Sequence, residues 1–247
     1  MVESERYDIT EEQWERIKDF FPQQKTGRPT KISNRDAFNA VIWLSRTGSP
    51  WRDLPRHYGP WQTVYSRWRI WTDSGLLDDS GLLERIFQAL GIDPDRENMS
   101  LDSITIKVHQ KAFGAQKKSR CDFPNQAIGI SRGGRTTKIH ALADGLGNPI
   151  KFILTGGQVH DAKAAIEVLA GIDLTDVNII ADKAYGTKEI MEYINASEGS
   201  FTIPPKANPK DPWECDFYAY CERHLIENFF NQLKEYRRIA TRFDKLC

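Results

Sequence analysis

Three carboxylates and a line of polar groups on one helix carry the chemistry open to this sequence. Residues 220–234, YCERHLIENFFNQLK, have the spacing of a helix turning ~100° per residue. Tyr220, Arg223, Glu227 and Lys234 then fall within an arc of roughly 60° on one face. Leu225, Ile226, Phe229 and Leu233 fall on the other side, with Phe230 at the margin. Taken alone, this is an amphipathic helix with a solvated charged face. Two aspartates upstream change that reading. Asp102 lies in LDSITIKV and Asp182 closes the apolar run VNIIA, and both contexts are strand-like. Carboxylates brought together repel one another unless a cation neutralises them. Mg²⁺ suits one or two carboxylates plus phosphate oxygens. Two such ions ~4 Å apart activate an attacking oxygen and stabilise a leaving one in phosphodiester displacement. Arg223 and Lys234 are spaced to hold phosphates on either side of Glu227. Tyr220 is placed to pack on a nucleic-acid backbone or base.

The elements that must position these groups can be read in order. Residues 99–108 alternate, with Ile104, Ile106 and Val108 on one face and Asp102 at the same parity. A long basic loop, about residues 110–134, follows; loops of that length are functional or disordered. Residues 137–143 and 150–154 are the next strands, joined by the turn Asp144-Gly145-Leu146-Gly147-Asn148. A helix at 162–170, a short apolar strand at 177–181, a helix at 187–195 and a strand at 201–203 come next. Prolines then interrupt regular structure until the helix at 220. Three antiparallel strands followed by alternating helix and strand describe a mixed α/β sheet of ribonuclease H-like layout. The first strand is central there and the fourth lies beside it. Asp102 and Asp182 become neighbours, and Glu227 completes a three-carboxylate cluster from the last helix.

Residues 1–90 read as a small all-helical module. Thr10 and Gln13 form a capping-box pattern before Trp14, Ile17, Phe20 and Phe21, and Pro22 ends the run. A second helix at 33–47 starts on Ser33 or Asn34 and stops at Gly48. A third, at 60–73, carries Trp61, Val64, Tyr65, Trp68 and Trp71, and a fourth covers 82–90. The arrangement is compatible with a helix-turn-helix reader whose later helix enters the major groove. Gln62, Thr63, Ser66, Arg67 and Arg69 would then face DNA. Residues 91–98 read as a linker and 99–247 as the catalytic domain.

Net charge is zero, but charge is unevenly spread: residues 107–138 hold eight Lys or Arg and one acid, Asp122. Such a stretch, with Arg132, Arg135 and Lys138 near its end, can bind a polyanion. The cysteines form no CxxC pair and the histidines no HxH or HxxxH pair, so zinc is not expected. No apolar run approaches the ~20 residues of a membrane helix, and the N-terminus lacks a signal-peptide core. A cytoplasmic protein is expected.

These residues resemble the DDE transposases of small bacterial insertion sequences, in the group of the fourth and fifth families. Tyr220, Arg223, Glu227 and Lys234 match that group's signature Y-x2-R-x3-E-x6-K at every position. LDSITIKVH around Asp102 and IIADKAYG around Asp182 match the contexts of its aspartates. ISRGGRTTKIHALADGLGNPI, LTGGQVHDAKA, WRDLPRHYGPWQTVYSRW and YRRIATRFDK are similar to family sequence too. The resemblance implies that Asp102, Asp182 and Glu227 are catalytic and bind Mg²⁺ or Mn²⁺. It implies recognition of terminal inverted repeats by the helical part, strand cleavage by water, and joining of the freed 3′ hydroxyl to target DNA. Synapsis of two ends implies a homodimer, bound at the nucleoid. In the family a further apolar helix follows the RFDK-like segment, whereas this chain stops at Cys247. The expectation is therefore a catalytic domain short at its C-terminus. The alternatives are an inactive DNA-binding remnant and a nuclease that only hydrolyses.

Overall fold

The computed structural model describes residues 6–22, 31–74, 81–91, 93–112, 126–206 and 213–244. Residues 23–30, whose Gly27-Arg28-Pro29 segment has turn-forming composition, and residues 113–125 of the basic loop lie outside them. The chain divides into two compact units, one of residues 1–91 with 235–239, the other of residues 92–234 with 240–247. No helix among the described residues is long and apolar enough to cross a membrane.

The first unit is all-helical: α1 (Glu11–Ile17), α2 (Asn34–Thr47), α3 (Trp61–Ser74) and α4 (Leu82–Leu90). Local chemistry sets the helix ends. Thr10 and Gln13 close a capping box on α1, and Ser33 and Asp36 close another on α2. Gly48 ends α2 at φ 72°, a conformation costly to residues with a Cβ. Ile17, Phe21, Phe38, Leu44, Val64, Trp71 and Ile86 fill the core, and Phe21 meets Phe38 and Trp71 edge to face. Between α2 and α3 run two short 3₁₀ turns, Trp51–Asp53 and Arg56–Tyr58. That connection is longer than the three- or four-residue turn of a compact helix-turn-helix.

The second unit follows the order β1 (Asn98–Val108), β2 (Gly129–Ser131), β3 (Gly134–Ala143), β4 (Pro149–Gly156), α5 (Asp161–Leu169), β5 (Asn178–Ala181), α6 (Lys188–Ala196), β6 (Ser200–Thr202), α7 (Phe217–Tyr220) and α8 (His224–Lys234). The chain continues into α9 (Arg237–Ala240) and β7 (Thr241–Arg242). β1 is central, antiparallel to β3 and parallel to β5; β4 lies antiparallel to β3, and β6 parallel to β5. This mixed sheet has the ribonuclease H-like layout. β7 adds beside the end of β1, where Lys107 pairs with Thr241.

Alternation along β1 assigns its two faces. Met99 and Leu101 join Ala165, Val168, Leu169, Ile190 and Ile194 of α5 and α6 in one core. Ile104 packs on the opposite face with Ala141, Ala143, Ile226 and Phe230. Ile226 is fully buried and Phe230 is 5% exposed, so Phe230 is a core anchor of α8 and not a marginal residue. Burial of each contributes about 1.5–3 kcal/mol to docking α8. Gly147, at φ 84°, turns the β3–β4 hairpin directly under Leu225.

Two elements differ from the sequence reading. Residues 129–134, expected within the basic loop, instead begin a tight hairpin in which Ile130 pairs with Arg135. Gly134, at φ 91°, permits this turn, and the same glycine and arginine content mimics a loop in sequence. The helix read over 220–234 is interrupted: a 3₁₀ turn at Cys221–Arg223 separates α7 from α8. Three residues at ~120° rather than ~100° rotate Tyr220 by roughly 60° relative to an ideal α-helix.

Candidate active site

The central parallel pair brings the two aspartates together. Leu101 and Ala181 are register partners of β1 and β5, so Asp102 and Asp182 follow side by side. Each carboxylate is oriented by a backbone amide just beyond it. Ser103 N donates to Asp102 Oδ1 at 2.8 Å, and Ala184 N donates to Asp182 Oδ1 at 2.5 Å. Alternation points Asp102 at the face that α8 covers.

Arg223 links the third carboxylate to the first. Its Nη2 donates to Asp102 Oδ2 at 3.2 Å, and its Nη1 donates to Glu227 Oε1. Its Nε is buried without a hydrogen-bond partner. Burial disfavours the guanidinium charge, but Asp102, Tyr220, Glu227 and Asp182 outweigh it and strengthen that charge. Burial pushes the Asp102 carboxyl above its ordinary range, against the Ser103 amide and Arg223, with Asp182 and Asp161 adding to the push. Three carboxylates, those of Asp102, Asp182 and Glu227, thus share the one guanidinium of Arg223. The site's donors are hard carboxylate oxygens of the kind Mg²⁺ and Mn²⁺ take. The Arg223 guanidinium stands between Asp102 and Glu227, a cation in the place where charge demands one. Among the described residues, no three acidic or imidazole groups converge closely enough to hold an ion as they stand. The residues fit a divalent cation in donor type and charge.

The remaining sequence candidates differ in their surroundings. Tyr220 is half-buried beside the carboxylates; burial raises its hydroxyl pKa, and Asp182 and Asp102 act in the same direction against Arg223. Lys234 is exposed at the end of α8, and Arg132 and Arg135 are exposed on the β2–β3 hairpin. Lys138, expected to face DNA, turns inward: it is 12% exposed and its Nζ donates to Asp161 Oδ1 at 2.9 Å and to the Val159 carbonyl at 2.8 Å. Arg67, on α3, is tied within its own unit to the Ser33 carbonyl at 2.7 Å and the Ile32 carbonyl at 2.5 Å. Arg69 is half-buried on α3.

A polar cluster on the other face of the sheet went unread in the sequence. Asp161, at the start of α5, accepts from Ser103 Oγ at 2.7 Å as well as from Lys138. Burial pushes the Asp161 carboxyl up, but the hydrogen bonds from Lys138 and Ser103 and the nearby charges win and hold it below the usual range. The Tyr185 hydroxyl is buried and approaches Ser103 without a hydrogen bond of good geometry. The signal for this cluster was the segment GGQVHD together with the parity of Ser103, opposite to that of Asp102.

His140 belongs to the same cluster. Its side chain is 1% exposed, with Nε2 2.8 Å from Thr155 Oγ1 and Nδ1 4.0 Å from Asp161 Oδ1. Burial, opposed by Asp161 and assisted by Lys138, lowers its pKa to about 4. The unfolded chain binds this proton below about pH 6.5, and the folded protein refuses it until about pH 4. Stability is therefore full above pH 6.5 and falls as pH drops through that window, by on the order of 3 kcal/mol. Denaturant midpoints between pH 7 and pH 4 are expected to fall more steeply for the wild type than for His140→Gln.

Comparison with known proteins places these observations. Residues 9–80 match the family described as "Putative transposase of IS4/5 family", and residues 93–246 match the family described as "Transposase DDE domain". The chain is 40% identical over 112 residues to a putative transposase for insertion sequence element IS6501 of Brucella ovis, spanning 44% of this chain and 85% of that protein. It is 32% identical over 126 residues to the uncharacterized protein y4sN of Sinorhizobium fredii, spanning 51% of this chain and 96% of that one. Among solved structures, the piggyBac transposase synaptic complex with hairpin DNA matches at 13% identity and a TM-score of 0.41, over 83% of this chain and 52% of that one. This chain therefore spans about half of that transposase. The Mos1 transposase paired-end complex matches at 13% identity and a TM-score of 0.29, over 89% of this chain and 79% of that one.

Proposed function

The chain belongs to the transposase DDE-domain family, and on that premise we propose that Asp102, Asp182 and Glu227 are its catalytic carboxylates. They would hold Mg²⁺ or Mn²⁺ at the end of a transposon, with terminal inverted repeats and target DNA as substrates. The observation that carries this reading is the pairing of Asp102 with Asp182 on the central parallel strands, joined to Glu227 through Arg223. When bound, divalent cations would supply activation of the attacking oxygen and stabilisation of the leaving oxygen.

The chain's own groups bind and orient. Lys234 and Arg223 supply positive charge to phosphates flanking the cut. Tyr220, half-buried beside the aspartates, offers a ring for the sugar-phosphate backbone or a base. The exposed Arg132 and Arg135 extend the basic surface along the duplex. Recognition of the repeats falls to the helical unit, through Gln62, Thr63, Ser66 and Arg69 of α3. Arg67, already committed to two carbonyls, shapes that helix's surroundings and has a smaller direct role. Two copies, one on each end, form the synaptic homodimer.

The test is an assay with Mg²⁺ on DNA ending in the element's own terminal repeats. Cleavage at the repeat followed by joining of the 3′ end to a second duplex is the expected result. Cleavage without joining would replace this reading with that of a hydrolytic nuclease. Binding without either reaction would make the chain an end-binding remnant.

A further inference from the structure

Neighbouring residues on a strand point to opposite faces, and midway along β1 that geometry splits one function between two layers. Asp102 faces α8 and Arg223. Ser103 faces α5, where its hydroxyl donates to Asp161 at 2.7 Å. The backbone amide of the same serine donates to Asp102 at 2.8 Å. We propose that Asp161, acting through Ser103, is a positioning residue that fixes the Asp102 carboxylate from behind the sheet in the orientation a divalent cation requires. This rests on the metal-binding reading of Asp102 given above.

Several further contacts converge on Asp161. Lys138 spans from Asp161 to the Val159 carbonyl and supplies the counter-charge that keeps a carboxylate tolerable at this depth. His140 is the register partner of Ser103 across β1 and β3, and its unpartnered Nδ1 is turned to Asp161. Tyr185, three residues after Asp182, sends its buried hydroxyl towards the same place, while its backbone amide donates to the Asp182 carbonyl at 3.0 Å. Ser103, directly after Asp102, and Tyr185, three residues after Asp182, thus reach one hub. The rest of that layer is apolar, built on Leu101, Leu142, Ala165, Leu169 and Ile190. A hydrophobic filling would serve packing equally well there. Outer partners of metal-binding carboxylates typically change metal affinity or activity by 10–100-fold when removed.

The experiment titrates the full chain, without DNA, with Mn²⁺ and follows free Mn²⁺ by electron paramagnetic resonance. Thermal unfolding is measured alongside without metal. Ser103→Ala is expected to weaken Mn²⁺ binding about ten-fold while its metal-free melting temperature stays close to that of the wild type. Ser103→Thr, which keeps the hydroxyl on a strand-compatible side chain, should restore the affinity. Asp161→Asn should weaken binding in the same direction, and if it does not fold, the serine pair decides. Equal Mn²⁺ affinity in the wild type and Ser103→Ala overturns the inference alone. So does a loss of affinity that follows a fallen melting temperature and is not restored by Thr. Absence of Mn²⁺ binding by the wild type overturns the metal reading, and this inference with it.

Discussion

Glu227→Gln is expected to slow strand cleavage by about a thousand-fold, equivalent to ~4 kcal/mol of transition-state stabilisation. Binding to terminal-repeat DNA should stay within about two-fold of the wild type, because the phosphate contacts that dominate affinity are untouched. Glutamine keeps the length of the side chain, and its amide oxygen can still accept from Arg223. Ile226 and Phe230, both buried against the sheet, continue to dock the helix. The change therefore isolates charge from shape. Rates would be measured on a pre-cleavage end substrate and binding by gel shift. A glutamine variant that cuts at the wild-type rate would remove Glu227 from the chemistry.

The second large effect concerns the guanidinium between the carboxylates. Arg223 is 19% exposed and Asp102 16%. Breaking a buried ion pair costs about 3–5 kcal/mol. Glu227, at 52% exposure, is screened by solvent, which brings the expected cost of Arg223→Ala down to about 2 kcal/mol in the metal-free protein. Asp102 is then left beside Asp182 and Asp161 without its cation. Its carboxyl already lies above the ordinary range because of burial, and losing Arg223 raises it further. A group with a raised folded-state pKa favours the folded state when protonated, and that advantage is lost as pH rises through its pKa. The deficit of the variant relative to the wild type should therefore shrink as pH falls. It should also shrink on addition of Mg²⁺, because the guanidinium no longer competes for the carboxylates and the variant gains more from the bound cation than the wild type does. Unfolding curves at several pH values, with and without Mg²⁺, measure both. A deficit unaffected by either condition would show that Arg223 contributes packing and not charge.

The legible parts of this fold were those that repeat. Parity along β1 fixed the face of Asp102, and the apolar stripe on α8 fixed the side of Glu227. Lys138 was misread because a basic residue near a basic loop carries no mark of which face it takes. Its parity with His140 and Leu142 held that information, and the composition of the loop obscured it. Asp161 stands just before the helix read over 162–170, where any acid is favourable to the helix dipole. Only the register of β1 with β3 shows that three polar side chains meet it. The β2–β3 hairpin was concealed because turn-forming glycines and exposed arginines also make loops. Residues 235–239 have no local signal at all for the partners they take.

Those partners are residues of the helical unit. Arg46 pairs with Glu235 at 2.5 Å and lies over the Tyr236 ring at 4.9 Å. Arg238 donates to the Ser49 carbonyl at 3.2 Å and lies over Trp51. The Cα of Gly48 sits so close to Arg237 that an added Cβ would come within 2.9 Å of the arginine's own. The helical unit is therefore encoded in two separate stretches of gene, and recombination at a single breakpoint cannot transfer it whole. A chimaera that exchanges this unit between insertion elements must graft both stretches together.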